Sequence, residues 1–246
     1  MDGVLIRDGA MVKGADLFLD RLRQLARPFL ILTNNSLFTP HQLRNQLSAI
    51  GLEIDERQLW TSALATAHFV HTQRPRGSAF VIGEPAMHEA LAEVGYRENN
   101  SDPDYVVLGE TQTYSFDDFT TAIRLIERGS NFVATNPEST GPSAEGSFPG
   151  CGAMAALIER ATATSAYFVG KPNPVMMREG LNILGAHHAS TIIVGDRMKT
   201  DIRAGVEAGI STILVLSGVA RREDLDAYPF QPSRVINSIA DLIDEL

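Results

Sequence analysis

The sequence predicts an α/β protein built on a doubly wound parallel sheet, and two patterns lead to that prediction. Short apolar runs alternate along the chain with longer segments in which apolar residues have helical spacing, as α/β architectures require. Several of the short runs are apolar at consecutive positions. Strands that are buried on both faces have this pattern, which is typical of parallel sheets covered by helices.

The predicted elements follow one another in order along the chain. The apolar runs predict strands at 28–33, 79–83, 104–110, 131–135, 166–170, 191–196 and 211–218. The helical spacing predicts helices at 15–26, 41–50, 61–73, 86–94, 116–128, 152–161, 175–184 and 199–208. Residues 140–152, which are rich in Gly, Pro and Ser, are the strongest loop signal.

Composition and charge restrict the class of protein. A net charge of −9 over 246 residues argues against a nucleic acid polymer or an anionic membrane as partner. The single cysteine, Cys151, cannot form a disulfide within the chain, which favours a reducing compartment. We find neither an apolar stretch of membrane-spanning length nor a secretory signal, and therefore predict a cytoplasmic protein.

At the start of a predicted helix Cys151 could be a stabilised thiolate, but a buried structural cysteine is favoured.

Polar side chains follow three of the predicted strands at the points where the strands end. Thr33 follows Phe-Leu-Ile-Leu, Lys171 follows Tyr-Phe-Val-Gly, and Asp196 follows Thr-Ile-Ile-Val-Gly. Each could alone be a helix cap or a solvated turn residue. Ligands of open α/β sheets bind beyond the carboxyl ends of the strands, so their joint occurrence favours one site. A lysine and a hydroxyl suit phosphate oxygens, and carboxylates suit Mg²⁺.

Asp201 is a fourth candidate because it stands five positions after Asp196, where a strand end leads into a predicted helix. Asp196 can then face the crevice while Asp201 lies on the first helical turn nearby. Two compatible interpretations remain for Asp201. One is a favourable interaction with the helix N-terminus, and the other is a supporting role behind the metal site.

Four motifs together resemble a known family. Asp-Gly-Val-Leu, Leu-Thr-Asn-Asn-Ser, Val-Gly-Lys-Pro-Asn-Pro and Val-Gly-Asp-Arg-Met-Lys-Thr-Asp-Ile-Arg-Ala-Gly resemble, in order, the motifs of haloacid dehalogenase (HAD) superfamily phosphatases. The resemblance is closest to the NagD-like branch and covers essentially the whole chain. It implies a Rossmann-like core formed by residues 1–64 and 167–246. It also implies an inserted α/β cap domain at 65–166, which closes over the active site and selects the substrate.

The resemblance further implies a mechanism through an aspartyl-phosphate. The first family motif reads Asp-x-Asp-Gly, in which the first Asp is the nucleophile and the second is the general acid and base. Asp2 matches the second Asp and Met1 matches x, so the nucleophile falls one position before Met1. The chain as written is then expected to be inactive.

Two explanations of this departure remain open. One is a start codon placed too late or a trimmed sequence. The other is a catalytically inactive, phosphate-binding protein that has lost its nucleophile. We favour the first, because a sheet without its central strand leaves buried groups unpaired at ~1–3 kcal/mol each.

The resemblance assigns the phosphate and metal ligands residue by residue. Thr33 would bind the phosphoryl group with the backbone donors at Asn34 and Asn35. Lys171 would neutralise phosphate charge and hold the nucleophile. Asp196 would bind Mg²⁺ together with the nucleophile and the backbone carbonyl of Asp2.

The resemblance also indicates which cap residues meet the leaving group. Asn136 and Glu138 lie in Thr-Asn-Pro-Glu-Ser, where relatives usually have Asn-Pro-Asp. An ordinary surface connection is an equally good interpretation of this loop. The expected substrates are small phosphate monoesters such as nucleoside monophosphates or sugar phosphates, and homodimer formation is left open.

Three other classes were weighed against this prediction. A receiver-type signalling domain also uses Asp, Thr and Lys, but there the acidic cluster precedes the lysine and the module is about half this length. The glycine patterns of dinucleotide-binding and P-loop proteins are absent from the sequence.

Overall fold

Strands and helices alternate along the computed structural model, which describes residues 1–143 and 146–246. The strands are β1 (Ile6–Arg7), β2 (Ala10–Met11), β3 (Ile31–Thr33), β4 (Leu59–Thr61), β5 (Ser78–Ile82), β6 (Arg97–Glu98), β7 (Tyr105–Leu108), β8 (Asn131–Ala134), β9 (Thr140–Ser143), β10 (Gly146–Pro149), β11 (Tyr167–Phe168), β12 (Ile192–Gly195), β13 (Ser211–Val215) and β14 (Arg234–Ile236). The helices are α1 (Ala15–Gln24), α2 (Pro40–Ala49), α3 (Ser62–Gln73), α4 (Pro85–Glu93), α5 (Phe116–Glu127), α6 (Cys151–Thr162), α7 (Pro174–Leu184) and α8 (Arg203–Glu207). Within the described residues, none of these helices has the length and hydropathy needed to cross a membrane.

The chain separates into two compact units. The first unit contains Met1–Thr33, Pro40–Trp60 and Lys171–Leu246, and the second contains Asn34–Thr39 and Thr61–Gly170. The sequence interpretation placed an inserted domain at 65–166, and the structure also assigns the short segment after Thr33 to the second unit. The chain leaves the first unit after Thr33 and again after Trp60, and it re-enters that unit at Pro40 and at Lys171.

Parallel strands form the framework of the first unit. β12, β13 and β14 form a three-stranded parallel sheet, in which Val194 lies opposite Ile213 and Leu214 lies opposite Val235. β3 pairs with β4, and β1 and β2 form an antiparallel hairpin. Four consecutive residues of β13, from Thr212 to Val215, are buried, which agrees with a strand that is covered on both faces.

A five-stranded parallel sheet forms the framework of the second unit. The strand order is β11-β8-β7-β5-β6. All four residues of the central strand β7 are buried, and the sheet packs on Phe119 and Ile126 of α5 and Ile158 of α6. The predicted α/β class with parallel sheets is confirmed.

Residues 140–152 differ from the sequence prediction of a loop. β9 and β10 pair as an antiparallel hairpin, with Gly141 opposite Phe148, and α6 begins directly afterwards at Cys151. Glycine at 141 leaves room for the aromatic ring, since a Cβ there would lie 2.5 Å from it. Residues 144 and 145, which belonged to the predicted loop, lie outside the described residues.

Cys151 is a buried residue of the second unit's core. Its thiol is close to the carbonyl oxygen of Leu108 and to the Thr135 hydroxyl, at 3.5 Å each. Burial raises the pKa of the Cys151 thiol to about 11, so the protonated form predominates at neutral pH. This geometry agrees with a structural cysteine.

Candidate active site

A buried ion pair between Lys171 and Asp201 joins two parts of the first unit. Lys171 Nζ donates to Asp201 Oδ1 at 2.6 Å and to the carbonyl oxygen of Leu32 in β3 at 3.2 Å. The two side chains are only 10% and 7% exposed. Charges this deeply buried require a partner, so each holds the other in place.

A π-helical turn brings Asp201 to the lysine. The helix predicted at 199–208 instead begins as a π-helical turn at Met198–Ile202 and continues as the short helix α8. Asp201 Oδ2 accepts hydrogen bonds from the backbone N–H groups of Asp196 at 3.2 Å and Arg197 at 3.1 Å. Asp201 therefore bonds to the backbone directly before this turn and pairs with Lys171 at the same time. π-helical turns of this kind are frequent at functional sites.

The two aspartates of this motif have opposite electrostatic environments. Burial alone would raise the pKa of Asp201, but the charge and hydrogen bond of Lys171 outweigh burial and lower that pKa. Burial, followed by the negative charge of Asp201, raises the pKa of Asp196. Asp201 is thus stabilised as an anion by the lysine, whereas Asp196 is a buried carboxylate that an additional cation would stabilise.

Two glycines and a loop after β13 enclose Asp196. A Cβ at Gly3 would lie 2.3 Å from the Asp196 carboxylate carbon, and one at Gly218 would lie 2.1 Å from Asp196 Oδ2. The Val219 N–H donates to Asp196 Oδ2 at 2.9 Å. The Ser217 hydroxyl donates to the carbonyl oxygen of Gly3 at 2.7 Å, which fastens the first turn of the chain to the same loop.

Sequence reasoning missed this loop at 217–219. Its contribution comes from a backbone N–H, a small residue and a hydroxyl that bonds to backbone. Residues of these types are also common in ordinary turns after strands, so the sequence does not mark them as part of a site. The one available signal was the Ser-Gly pair directly after an apolar strand, in the position that Asp196 and Lys171 occupy after theirs.

The first residues of the chain lie close to Lys171, Asp196 and Asp201. Met1, Asp2 and these three residues form the cluster of the first unit. The amino group of Met1 is buried, and burial together with the charge of Lys171 lowers its pKa. The charges of Asp2, Asp201 and Asp196 act on it in the opposite direction. Asp2 is itself exposed and forms an isolated bridge with Ile6. Four of the predicted residues are therefore close enough in the first unit for their charges to affect one another. They are Asp2, Lys171, Asp196 and Asp201.

Thr33 lies at the end of β3 and is buried, with 4% of its surface exposed. It directly follows Leu32, whose carbonyl oxygen accepts the hydrogen bond from Lys171. The strand-end position that the sequence predicted for Thr33 is thus adjacent to the lysine.

The remaining predicted residues belong to the second unit, and their side chains are hydrogen-bonded there. Asn34 Nδ2 donates to both carboxylate oxygens of Glu138, at 2.9 and 3.0 Å. Asn136 Nδ2 donates to the carbonyl oxygen of Asn34 at 3.0 Å. The predicted contact of Asn136 and Glu138 with a leaving group thus competes with these bonds to Asn34.

Asn35 has a local role in the turn that follows. Its side-chain oxygen accepts hydrogen bonds from the backbone N–H groups of Leu37 and Phe38, both at 3.1 Å. This is an Asx turn, which orders the start of the segment 34–39.

The cluster in the first unit contains few side-chain metal ligands. Among residues 1–143 and 146–246, no group of three or more His, Cys, Asp or Glu side chains is arranged to hold a metal ion. Asp196 is the acidic residue with the most suitable environment, because Asp201 is already bonded to Lys171.

The first unit thus contains parallel strands, a buried lysine and a buried aspartate directly after β12, and open α/β sheets commonly bind ligands beyond the carboxyl ends of their strands. A family model for haloacid dehalogenase-like hydrolases matches residues 1–97, and a second HAD-hydrolase-like model matches residues 168–242. The chain belongs to the haloacid dehalogenase-like hydrolases, and within them to the NagD-like phosphatases.

Characterised relatives are similar over nearly the whole chain. A dihydroxyacetone phosphatase of Corynebacterium glutamicum is 52% identical over 99% of this chain and 89% of the relative. The ribonucleotide monophosphatase NagD of Escherichia coli is 39% identical over 98% of this chain and 95% of the relative. The crystal structure of a 4-nitrophenylphosphatase from Thermotoga maritima is 30% identical with a TM-score of 0.95, covering 99% of this chain and 94% of that one.

Removal of the lysine charge is expected to destabilise the first unit. Lys171→Met leaves Asp201 buried without its cation, and we expect a loss of about 3–5 kcal/mol in the free energy of unfolding. Urea unfolding followed by the fluorescence of Trp60 measures this, because Trp60 is the single tryptophan and belongs to the first unit.

The control variant breaks an exposed ion pair of the same unit. Arg203 and Glu207 are 51% and 38% exposed, and Arg203→Gln should cost at most about 1 kcal/mol. Equal losses in the two variants would show that the Lys171–Asp201 pair has no special structural role.

Proposed function

We propose that this protein hydrolyses small phosphate monoesters through an aspartyl-phosphate intermediate and uses Mg²⁺ as its cofactor. The observation that carries the proposal is the buried Lys171–Asp201 pair, because Asp201 also accepts a hydrogen bond from the N–H of Asp196, where the parallel strand β12 ends. Phosphoryl transfer depends chiefly on positioning and on stabilising negative charge. A fixed ammonium group that bonds to the backbone of Leu32, the residue before Thr33, suits both requirements.

Each residue of the cluster has a role in this chemistry. The Thr33 hydroxyl and the backbone N–H groups at Asn34 and Asn35 would bind phosphoryl oxygens. Lys171 would offset their negative charge, while Asp201 fixes the direction of its ammonium group. Preorganised donors of this kind stabilise charge without rearranging during the reaction.

The reaction also needs a nucleophile and a proton donor. In the proposed mechanism a carboxylate at the position before Met1 attacks phosphorus, and the bond to the leaving-group oxygen breaks. Asp2 protonates that oxygen and then removes a proton from the water that hydrolyses the aspartyl-phosphate. Two residues apart on an extended backbone, the two carboxylates point to the same side.

The residues around Asp196 fit a magnesium ion. Asp196 is a buried carboxylate whose pKa is raised by burial and by Asp201, so a divalent cation would relieve an unfavourable charge. Mg²⁺ is usually held by one or two carboxylates plus waters and substrate phosphate, which agrees with a cluster that lacks a larger set of side-chain ligands. Asp196 and the backbone carbonyl of Asp2 would hold it. When bound, Mg²⁺ reduces the negative charge of the phosphoryl oxygens.

The relatives support the proposed substrate class. Triose phosphates, and dihydroxyacetone phosphate first, are the proposed substrates because a dihydroxyacetone phosphatase is 52% identical. Nucleoside monophosphates and sugar phosphates are the other classes to compare. We assign selection among them to residues 139–143 and 146–150 of the second unit, which contain the paired strands β9 and β10.

Activity is predicted to depend on the carboxylate before Met1. A chain extended by a few apolar residues and an aspartate directly before Met1 should hydrolyse p-nitrophenyl phosphate and dihydroxyacetone phosphate. The 246-residue chain should release no measurable phosphate, because its cluster lacks the attacking group. Phosphate release measures this, and a chain with asparagine in place of the added aspartate is the matched control. An ordinary enzymatic rate from the 246-residue chain would contradict the mechanism.

Metal dependence is predicted to reside in Asp196. In the extended chain, Asp196→Asn should weaken Mn²⁺ affinity, measured by electron paramagnetic resonance, by roughly a hundredfold, and remove most turnover. Asp226→Asn, which removes an exposed carboxylate, should change neither property. Full activity of the parent in excess chelator would exclude Mg²⁺ as cofactor.

A further inference from the structure

Asn34 is fixed in the second unit at both its side chain and its backbone. Its side-chain amide donates to the Glu138 carboxylate at 2.9 and 3.0 Å. Its carbonyl oxygen accepts from Asn136 Nδ2 at 3.0 Å and from the Ser62 hydroxyl at 2.7 Å. Because Asn34 directly follows Thr33, these bonds hold the backbone at the point where the chain leaves the first unit.

Close packing reinforces these hydrogen bonds. A Cβ at Gly170 would lie 2.7 Å from Asn34 Oδ1, so the amide has little room to turn. Two residues further along, Ser36 is fully buried, and its hydroxyl accepts from the Glu110 N–H at 3.0 Å. The segment 34–39 is therefore anchored at two points, and the anchor at Asn34 contains a carboxylate.

The chemistry of Glu138 suits a positioning role. A carboxylate makes stronger hydrogen bonds to an amide than a neutral acceptor does. The Glu138 backbone N–H also donates to Asn136 Oδ1 at 3.3 Å, so the two residues that hold Asn34 are bonded to each other. The Asn34 amide faces both oxygens of this carboxylate, which leaves Glu138 poorly suited to recognise a leaving group as well.

We propose that Glu138 is a positioning residue for the phosphate site and acts through Asn34. By fixing the side chain of Asn34, with Asn136 fixing its carbonyl oxygen, Glu138 sets the direction of the backbone N–H groups that follow Thr33. This inference rests on the proposed phosphate site. Glu138 would then affect binding of the phosphoryl group, which all substrates share, and would not recognise the leaving group.

The two roles of Glu138 predict different binding data. The experiment measures, by calorimetry with the 246-residue chain, the Kd of inorganic phosphate, dihydroxyacetone phosphate, AMP and glucose 6-phosphate. Glu138→Ala should weaken all four by the same factor of about tenfold, because the hydrogen-bonded anchor is lost. Leaving-group recognition predicts instead that phosphate is unaffected while the three esters change rank.

A double variant that exchanges the amide and the carboxylate of this hydrogen bond distinguishes loss of the bond from a general loss of structure. Asn34→Asp places two carboxylates together and should weaken phosphate binding by about tenfold. Combining it with Glu138→Gln restores one amide and one carboxylate with the same net charge, and phosphate affinity should return to within about twofold of the parent. Glu127→Gln removes an exposed carboxylate from the same unit and should have no effect.

Two outcomes would overturn the inference, and they are distinguishable from failure of the proposed hydrolysis. Unchanged phosphate affinity in Glu138→Ala, or no recovery in the double variant, excludes positioning through Asn34. Absence of phosphate binding by the parent removes the phosphate site and this inference with it. Absence of hydrolysis by the aspartate-extended chain, with phosphate binding intact, contradicts the proposed reaction alone.

Discussion

The buried ion pair between Lys171 and Asp201 is the interaction on which the first unit's cluster depends. It links the carbonyl oxygen of Leu32 in β3 to the π-helical turn after β12, so residues distant in sequence are held together. The pair also settles which aspartate is available to a cation. The charge of Asp201 is balanced by the lysine, and its carboxylate accepts a hydrogen bond from the backbone N–H of Asp196. The Asp196 carboxylate lies against Gly3 and Gly218 and is the one that a cation would stabilise.

Chain connectivity places the proposed phosphate ligands Thr33 and Lys171 at two of the four points where the chain passes between units. Thr33 is followed by Asn34, and Lys171 is preceded by Gly170, and both neighbours belong to the second unit. Within that unit Asn34 and Gly170 are in contact, and Glu138 and Asn136 hold Asn34. Residues of the second unit can therefore influence phosphate ligands through the backbone, without touching the phosphate.

The sequence predicted the strands and site residues that are marked by side-chain type. It did not predict those whose contribution comes from backbone groups. Consecutive apolar residues predicted β7 and β13 because strands buried on both faces leave no polar alternation. β14 was missed because three residues between polar neighbours form no pattern. The strands at Thr140–Ser143 and Gly146–Pro149 were interpreted as part of a loop because their glycines and prolines indicate turns. Ser217, Gly218 and Val219 were missed because they act on Asp196 and Gly3 through backbone atoms or small size.

The most direct test of the central claim locates a phosphate-like anion in crystals of this protein by the anomalous scattering of tungstate. We expect tungstate oxygens about 3 Å from Lys171 Nζ and the Thr33 hydroxyl, with the Lys171–Asp201 bond retained. Tungstate that avoids Lys171 and binds instead in the groove lined by Arg23, Arg44 and Arg57 would show that Lys171 is not the anion site. Those arginines are already paired with carboxylates, so the buried lysine should be the stronger anion site.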